Sequence, residues 1–316
     1  MNVLLQIIAV TVLLLLAQEA LRRATRWAVW GVFLLLPLIL TPYWLRVNEL
    51  GPFPWFKFYT IFFCVCWGTA LRFTSLGNRA WARSTIPPLL AVNIFEAVVL
   101  DLFGHGSAHA LNAAAGLLLI ATLPYGPDST RIASVNRCRD LLYRTSKRWV
   151  IGYTLWNWTF VYLNYPSLTG HHTAVLAAGL IVAMNDPGRW SQTRASTLGV
   201  NLLFSATFFN GMIAWMDTST WFDEQVGIIA AGFALVFMAG CTGTGGAKRR
   251  DSRGRRVPRR KQIPRRLVAA FTGRLLARGR GERTMSVRGQ LVAVKRDTFA
   301  RIRFFRSSSF TSLASA

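Results

Sequence analysis

The run IPPLLAVNIFEAVVLDLF, residues 86–103, decides the architecture. It is long and apolar enough to cross a lipid hydrocarbon core as a helix, the one open-chain form that satisfies its own backbone where there is no water. Pro87 and Pro88 suit the first turn, where the missing N–H groups are not needed. Yet the run also holds Glu96 and Asp101. An acidic residue at the centre of a span costs about 2.5 to 3.5 kcal/mol on insertion scales, while each large apolar residue returns only about 0.3 to 0.6. Such a helix inserts marginally by itself. It is therefore expected to pack among other helices, with Glu96 turned toward protein or trapped water.

Working outward, eight further stretches have similar length and apolarity, giving nine expected spans at 3–21, 27–45, 53–72, 86–103, 108–123, 149–165, 171–186, 195–216 and 225–241. The connections test this count, because Lys and Arg gather on the cytoplasmic side. Arg22, Arg23 and Arg26 follow the first stretch; Arg72, Arg79 and Arg83 follow the third; Arg131, Arg137, Arg139, Arg144, Lys147 and Arg148 follow the fifth; Arg189 and Arg194 follow the seventh. The intervening connections hold Arg46 or no basic residue, and DTSTWFDE, residues 217–224, has none. A missed span would invert the alternation. The expected fold is thus an all-α polytopic transmembrane bundle of about nine spans in the plasma membrane, with the N-terminus outside and the C-terminus cytoplasmic. The first stretch has its arginines after it and reads as a retained helix. Trp27, Trp30, Tyr43, Trp44, Trp55, Trp149, Trp190 and Trp221 lie where an interfacial aromatic belt would be.

Composition agrees. Of 316 residues 52% are hydrophobic and 16% charged, too few charges for an ordinary soluble globule. The charge is also lopsided: residues 247–316 carry 21 of the 37 Lys and Arg but 3 of the 13 Asp and Glu. Two units are expected, a helical domain at 1–246 and an Arg-rich disordered cytoplasmic tail at 247–316. The tail is suited to anionic inner-leaflet lipids rather than to any specific nucleic acid. Cys64, Cys66, Cys138 and Cys241 form no C-x-x-C pair and read as unpaired thiols.

NIFEAVVLDLF, residues 93–103, and YTLWNWTFVY, residues 153–162, resemble the marker segments of a bacterial family of polytopic membrane proteins catalogued as a domain of unknown function. The resemblance spans roughly residues 1–240 and implies the helical architecture without an activity. An arginine often precedes the acidic residue of the family's first segment, whereas Leu100 precedes Asp101 here.

Two groups of residues carry possible chemistry. At 100° per residue Asn93 shares a face with Glu96; Tyr153, Asn157, Phe160 and Asn164 form a second stripe, and Thr197, Asn201 and Ser205 a third. These stripes either line one polar cavity, with Glu96 as a protonatable or cation-binding group, or serve as interhelical hydrogen-bonding glue. Asp101 with His105, His109, His171 and His172 forms a candidate divalent-metal cluster at helix ends; no other cofactor is expected. Lys57 is expected to snorkel, with Asp101 as its alternative partner, and Glu19 to pair with Arg22 and Arg23. No P-loop, G-x-S-x-G or H-E-x-x-H pattern is present. The leading expectation is therefore small-solute or ion handling at an intramembrane polar site. The alternatives are a membrane enzyme using the Asp and His cluster, or a scaffold; the oligomeric state is left open.

Overall fold

The computed structural model describes residues 2–48, 52–135 and 138–251. Every one of the nine stretches expected as a helix is helical. The elements are α1 (Val3–Arg23), α2 (Arg26–Val47), α3 (Pro52–Phe73), α4 (Ile86–Phe103), α5 (Ser107–Ala121), α6 (Lys147–Asn164), α7 (Thr169–Asn185), α8 (Trp190–Trp215) and α9 (Glu224–Asp251). Local chemistry sets their starts: the Asn2 side chain accepts from Leu4 N, and Ser146 Oγ accepts from Trp149 N at the head of α6. Gly106 opens α5 at φ 101°, a conformation that favours glycine. Within α5, a Cβ added at Gly116 would run into Val98 and Trp156, so the absent side chain lets α4, α5 and α6 close on one another.

Among the described residues five segments are long and apolar enough to cross a membrane: Val3–Arg23, Arg26–Val47, Ala80–Phe103, Pro166–Asn185 and Glu224–Cys241. Most face outward with large side chains such as Leu13, Leu16, Leu38, Ile229 and Val236, each well exposed. An outer surface of that kind is at home against lipid tails, not water. By contrast, α6 and α8 spend their length on Trp, Tyr, Asn, Ser and Thr. They face inward, which is why they are less apolar than the peripheral helices.

Two larger apolar cores result. One joins α4, α5, α6 and α9 around Ile94, Leu119, Trp156 and Met238, and the other joins α2, α3 and α8 around Phe33, Trp44, Phe58 and Leu203. Helix α1 packs on α7 and α8 through Ile7 and Leu14. Two helices are irregular. Helix α2 contains a π-helical turn, Gly31–Leu35, where Phe33 O accepts from Cys66 Sγ. Helix α8 leaves helical geometry at Phe208; just before the break the Ala206 carbonyl is taken by Asn48 Nδ2 at 2.8 Å and Thr207 Oγ1 by Trp44 Nε1 at 3.1 Å. A broken helix is tolerated in an apolar setting when neighbouring side chains replace the lost bonds in this way.

The all-α expectation needs correction. The connection between α5 and α6 contains an antiparallel hairpin, β1 (Thr130–Val135) and β2 (Cys138–Tyr143), with Thr130 opposite Tyr143 and Val135 opposite Cys138. It is tied to the bundle by a bidentate ion pair: Arg22 Nε and Nη2 each donate at 2.8 Å to the Asp140 carboxylate, both side chains being buried. Arg72 donates to Arg139 O and Arg22 O, and Gln192 Oε1 accepts from Leu141 N. Burial pushes the Tyr143 phenol above its ordinary range, and its hydroxyl donates to Pro124 O at 3.2 Å. The expected Glu19 pairs with Arg22 and Arg23 are present, with Arg189 as a third partner. Helix α9 continues to Asp251, past the end expected for the last span and past the 246/247 boundary; the remainder of the expected tail lies outside the described residues.

Candidate functional site

Between the two cores lies a cavity of about 290 Å³, lined by residues from α3, α4, α6, α7 and α8. Of the expected polar residues it takes Asn93, Asn157 and Asn201, with Ser205 beside them. Their stripes meet because each helix turns its few polar groups away from lipid and toward the others. To these the structure adds Lys57, His171, His172 and Arg194; the remaining wall is apolar, from side chains such as Phe58, Ile61, Phe160 and Leu202.

Lys57 neither snorkels nor reaches Asp101. Its ammonium donates to Glu96 Oε2 at 2.7 Å and to Asn93 O at 2.8 Å. Thr60 Oγ1 stands 3.5 Å from the same carboxylate oxygen, while Glu96 Oε1 is buried without a hydrogen-bond partner. Glu96 is thus a compensated carboxylate in a helix seam next to the cavity, and Lys57 is the member of the pair that lines the cavity.

Asp101 and Asn164 lie elsewhere. The Asp101 carboxylate is buried and accepts from Asn112 Nδ2 at 2.6 Å and Asn164 Nδ2 at 2.8 Å, with His109 Nδ1 at 3.1 Å. This knot ties α4, α5 and α6 together. The other histidines do not converge on it. His105 is exposed, His171 Nε2 bonds Met212 O, and His172 Nε2 bonds Asn157 Oδ1. Among the described residues no three His, Cys, Asp or Glu side chains are placed to hold a metal ion.

A second, smaller cavity of about 130 Å³ lies toward the hairpin and is lined by Arg72, Thr69, Cys64, Leu141, Tyr153 and Gln192 among others. The two cavities share Ile61, Asn93, Arg194 and Leu198 as walls. A chain of side-chain contacts also links them, from His172 through Asn157 to the Tyr153 hydroxyl.

Arg194 is the residue that sequence reasoning misplaced, in the basic connection before the eighth stretch. In the structure it lies within α8, its stem runs against Gly179 and its side chain is buried. Its Nε and Nη1 have no hydrogen-bond partner, and its Nη2 stands 3.4 Å from His172 Nε2, a nitrogen already engaged with Asn157. A signal was available: Arg194 is seven residues before Asn201, hence 20° from it on a helix, so it extends the Thr197, Asn201 and Ser205 stripe by one turn.

The protein is helical, and among its described residues five segments are long and apolar enough to cross a membrane. The chain belongs to DUF5692, a family of unknown function, whose family model matches residues 1–245. Comparison with curated proteins and with solved structures gave no match.

Proposed function

We propose that this is a multi-pass plasma-membrane protein that handles a small solute or ion in the cavity beside Glu96. The observation that carries the proposal is the pairing of the two cavities across the shared wall of Ile61, Asn93, Arg194 and Leu198. A solute path through a membrane needs a polar chamber at depth and a narrow, changeable partition, and discontinuous helices commonly border such chambers. Here the π-turn of α2 brings Phe33 to the smaller cavity, and α8 breaks three residues beyond Ser205 of the larger one.

In this proposal all nine long helices cross the bilayer. The hairpin end is cytoplasmic, since Arg131, Arg139, Arg144 and Arg148 gather there, and the N-terminus lies outside. The Arg-rich segment beyond Asp251 then lies at the cytoplasmic face, where anionic lipid would attract it. Solute handling is preferred to a membrane enzyme because the four histidines do not form one reaction centre: His105 is exposed, His109 meets Asp101, and His171 and His172, which both line the larger cavity, bond Met212 O and Asn157 Oδ1 separately.

The test is uptake of a panel of charged and neutral small solutes by vesicles containing the full chain. The comparison is with a chain whose cavity is filled by Asn201→Leu and Ser205→Leu. Uptake that the filled chain loses is the expected result; uptake no greater than that of protein-free vesicles for every solute would contradict solute handling.

A further inference from the structure

Building on the solute-handling reading, we propose that the larger cavity takes a small organic anion, an apolar body with one carboxylate-like head, and that Arg194 is the residue that binds the head. Arg194 is 6% exposed, and among the described residues it has no acidic partner. The other cation of the wall, Lys57, is already compensated by Glu96, and among the described residues no Asp or Glu side chain lines the cavity. Among the described residues the chamber therefore carries one uncompensated positive charge. A guanidinium is always charged, so it cannot relieve its burial by giving up a proton.

Burying an unpaired charge is costly, and buried charges are accordingly paired. Here Nε and Nη1, two donors of the planar fork that matches a carboxylate, are both buried without a hydrogen-bond partner, and Arg194 is part of the cavity wall. His172 is no acidic partner: its Nε2, 3.4 Å from Arg194 Nη2, is also bonded to Asn157 Oδ1. An anion supplied by the solute completes the set.

Size and lining narrow the class. A cavity of roughly 150 Å³ accepts benzene, and this one measures about 290 Å³. It accommodates a body somewhat larger than one ring. Phe58, Ile61, Phe160, Val161, Leu198 and Leu202 would contact that body, and Asn157 and Asn201 lie within the same walls. A strongly hydrated inorganic anion would leave the apolar walls unused, and a cation would face Arg194.

The experiment measures thermal unfolding of the full chain in detergent with benzoate, the smaller propionate, neutral benzamide and cationic benzylamine. Benzoate or propionate should raise the Tm of the wild type, and benzamide and benzylamine should not. Arg194→Gln, whose helical circular dichroism should match wild type, should bind benzoate at least tenfold more weakly. It should also unfold no earlier than wild type without ligand, because it removes a charge that lacks a partner. The comparison among probes on the wild type stands even if that variant misfolds. Equal stabilisation by benzamide, or preference for benzylamine, would overturn the anion assignment while leaving a solute site in place. An anion effect that persists in a folded Arg194→Gln would overturn the role of Arg194. Absence of any shift would overturn the inference, and absence of vesicle uptake of every solute would separately remove the solute-handling reading.

Discussion

Lys57 and Glu96 meet at 2.7 Å across the contact of α3 with α4, with the side chains 21% and 10% exposed. The pair explains how α4 holds a carboxylate among IPPLLAVNIFEAVVLDLF: the charge is met by a cation from the neighbouring helix, and Lys57 reaches further to Asn93 O. Removing one partner of a buried pair leaves the other charge uncompensated, which typically costs about 3 to 5 kcal/mol. Lys57→Met and Glu96→Gln should each lower stability on that scale. The double variant should recover much of the loss. Unfolding in denaturant, read as a double-mutant cycle, measures the coupling; strict additivity of the two losses would show that the pair does not act as one.

The hairpin should be released by breaking its hold on α1. Asp140→Asn removes the charge that Arg22 grips with two donors, and a loss of about 3 kcal/mol or more is expected. Trypsin is the readout. In the wild type the strand residue Arg139 should resist cleavage, and in Asp140→Asn it should be cut while the helices stay intact. In a chain that keeps Asp140, Arg22→Lys should not preserve protection, because an ammonium cannot reproduce the two-pronged contact.

Asp101 should matter as a structural acceptor. Asp101→Leu leaves the buried donors of Asn112 and Asn164 without their acceptor, so the Tm should fall by more than in His109→Ala, which removes a single contact from the half-buried edge of the knot. Elemental analysis should find no stoichiometric divalent ion on the purified chain, and chelation should leave the Tm unchanged, since the four histidines do not converge. One bound divalent ion per chain would restore the metal cluster as a real site.

A chain ending at Asp251 should keep the wild-type Tm. The family match ends at residue 245, and among the described side chains of α9 the packed ones, such as Ala231, Ala234 and Met238, precede that point. Loss of the helical signal in the shortened chain would place the domain boundary elsewhere.

Helix positions were legible because each depends on a local property, a run of apolar residues closed by charges, prolines or polar caps. The Asn stripes were legible for the same reason: the 3.6-residue period places Asn93, Asn157 and Asn201 on definite faces, though only packing brings those faces together. What escaped was long-range pairing. Nothing within a few residues of Glu96 points to Lys57, 39 positions earlier, and nothing near Arg22 points to Asp140, 118 positions later. The hairpin was hidden by the six basic residues of the connection that holds it, which drew attention to charge when Thr130, Ile132 and Val135 carried a β-branched strand signal. Arg194 was misplaced because a charged residue near a helix start ordinarily belongs to the interface, whereas here its long stem carries the guanidinium inward.

The central claim, a water-accessible polar cavity among membrane helices, is tested most directly by thiol labelling. Ser205→Cys, in a chain whose four native cysteines are replaced, is exposed in intact vesicles to a maleimide that cannot cross lipid. Labelling from one face of the membrane, slowed by filling the cavity with Asn201→Leu, is the predicted result; a cysteine at 205 that stays unreactive from both faces would contradict it.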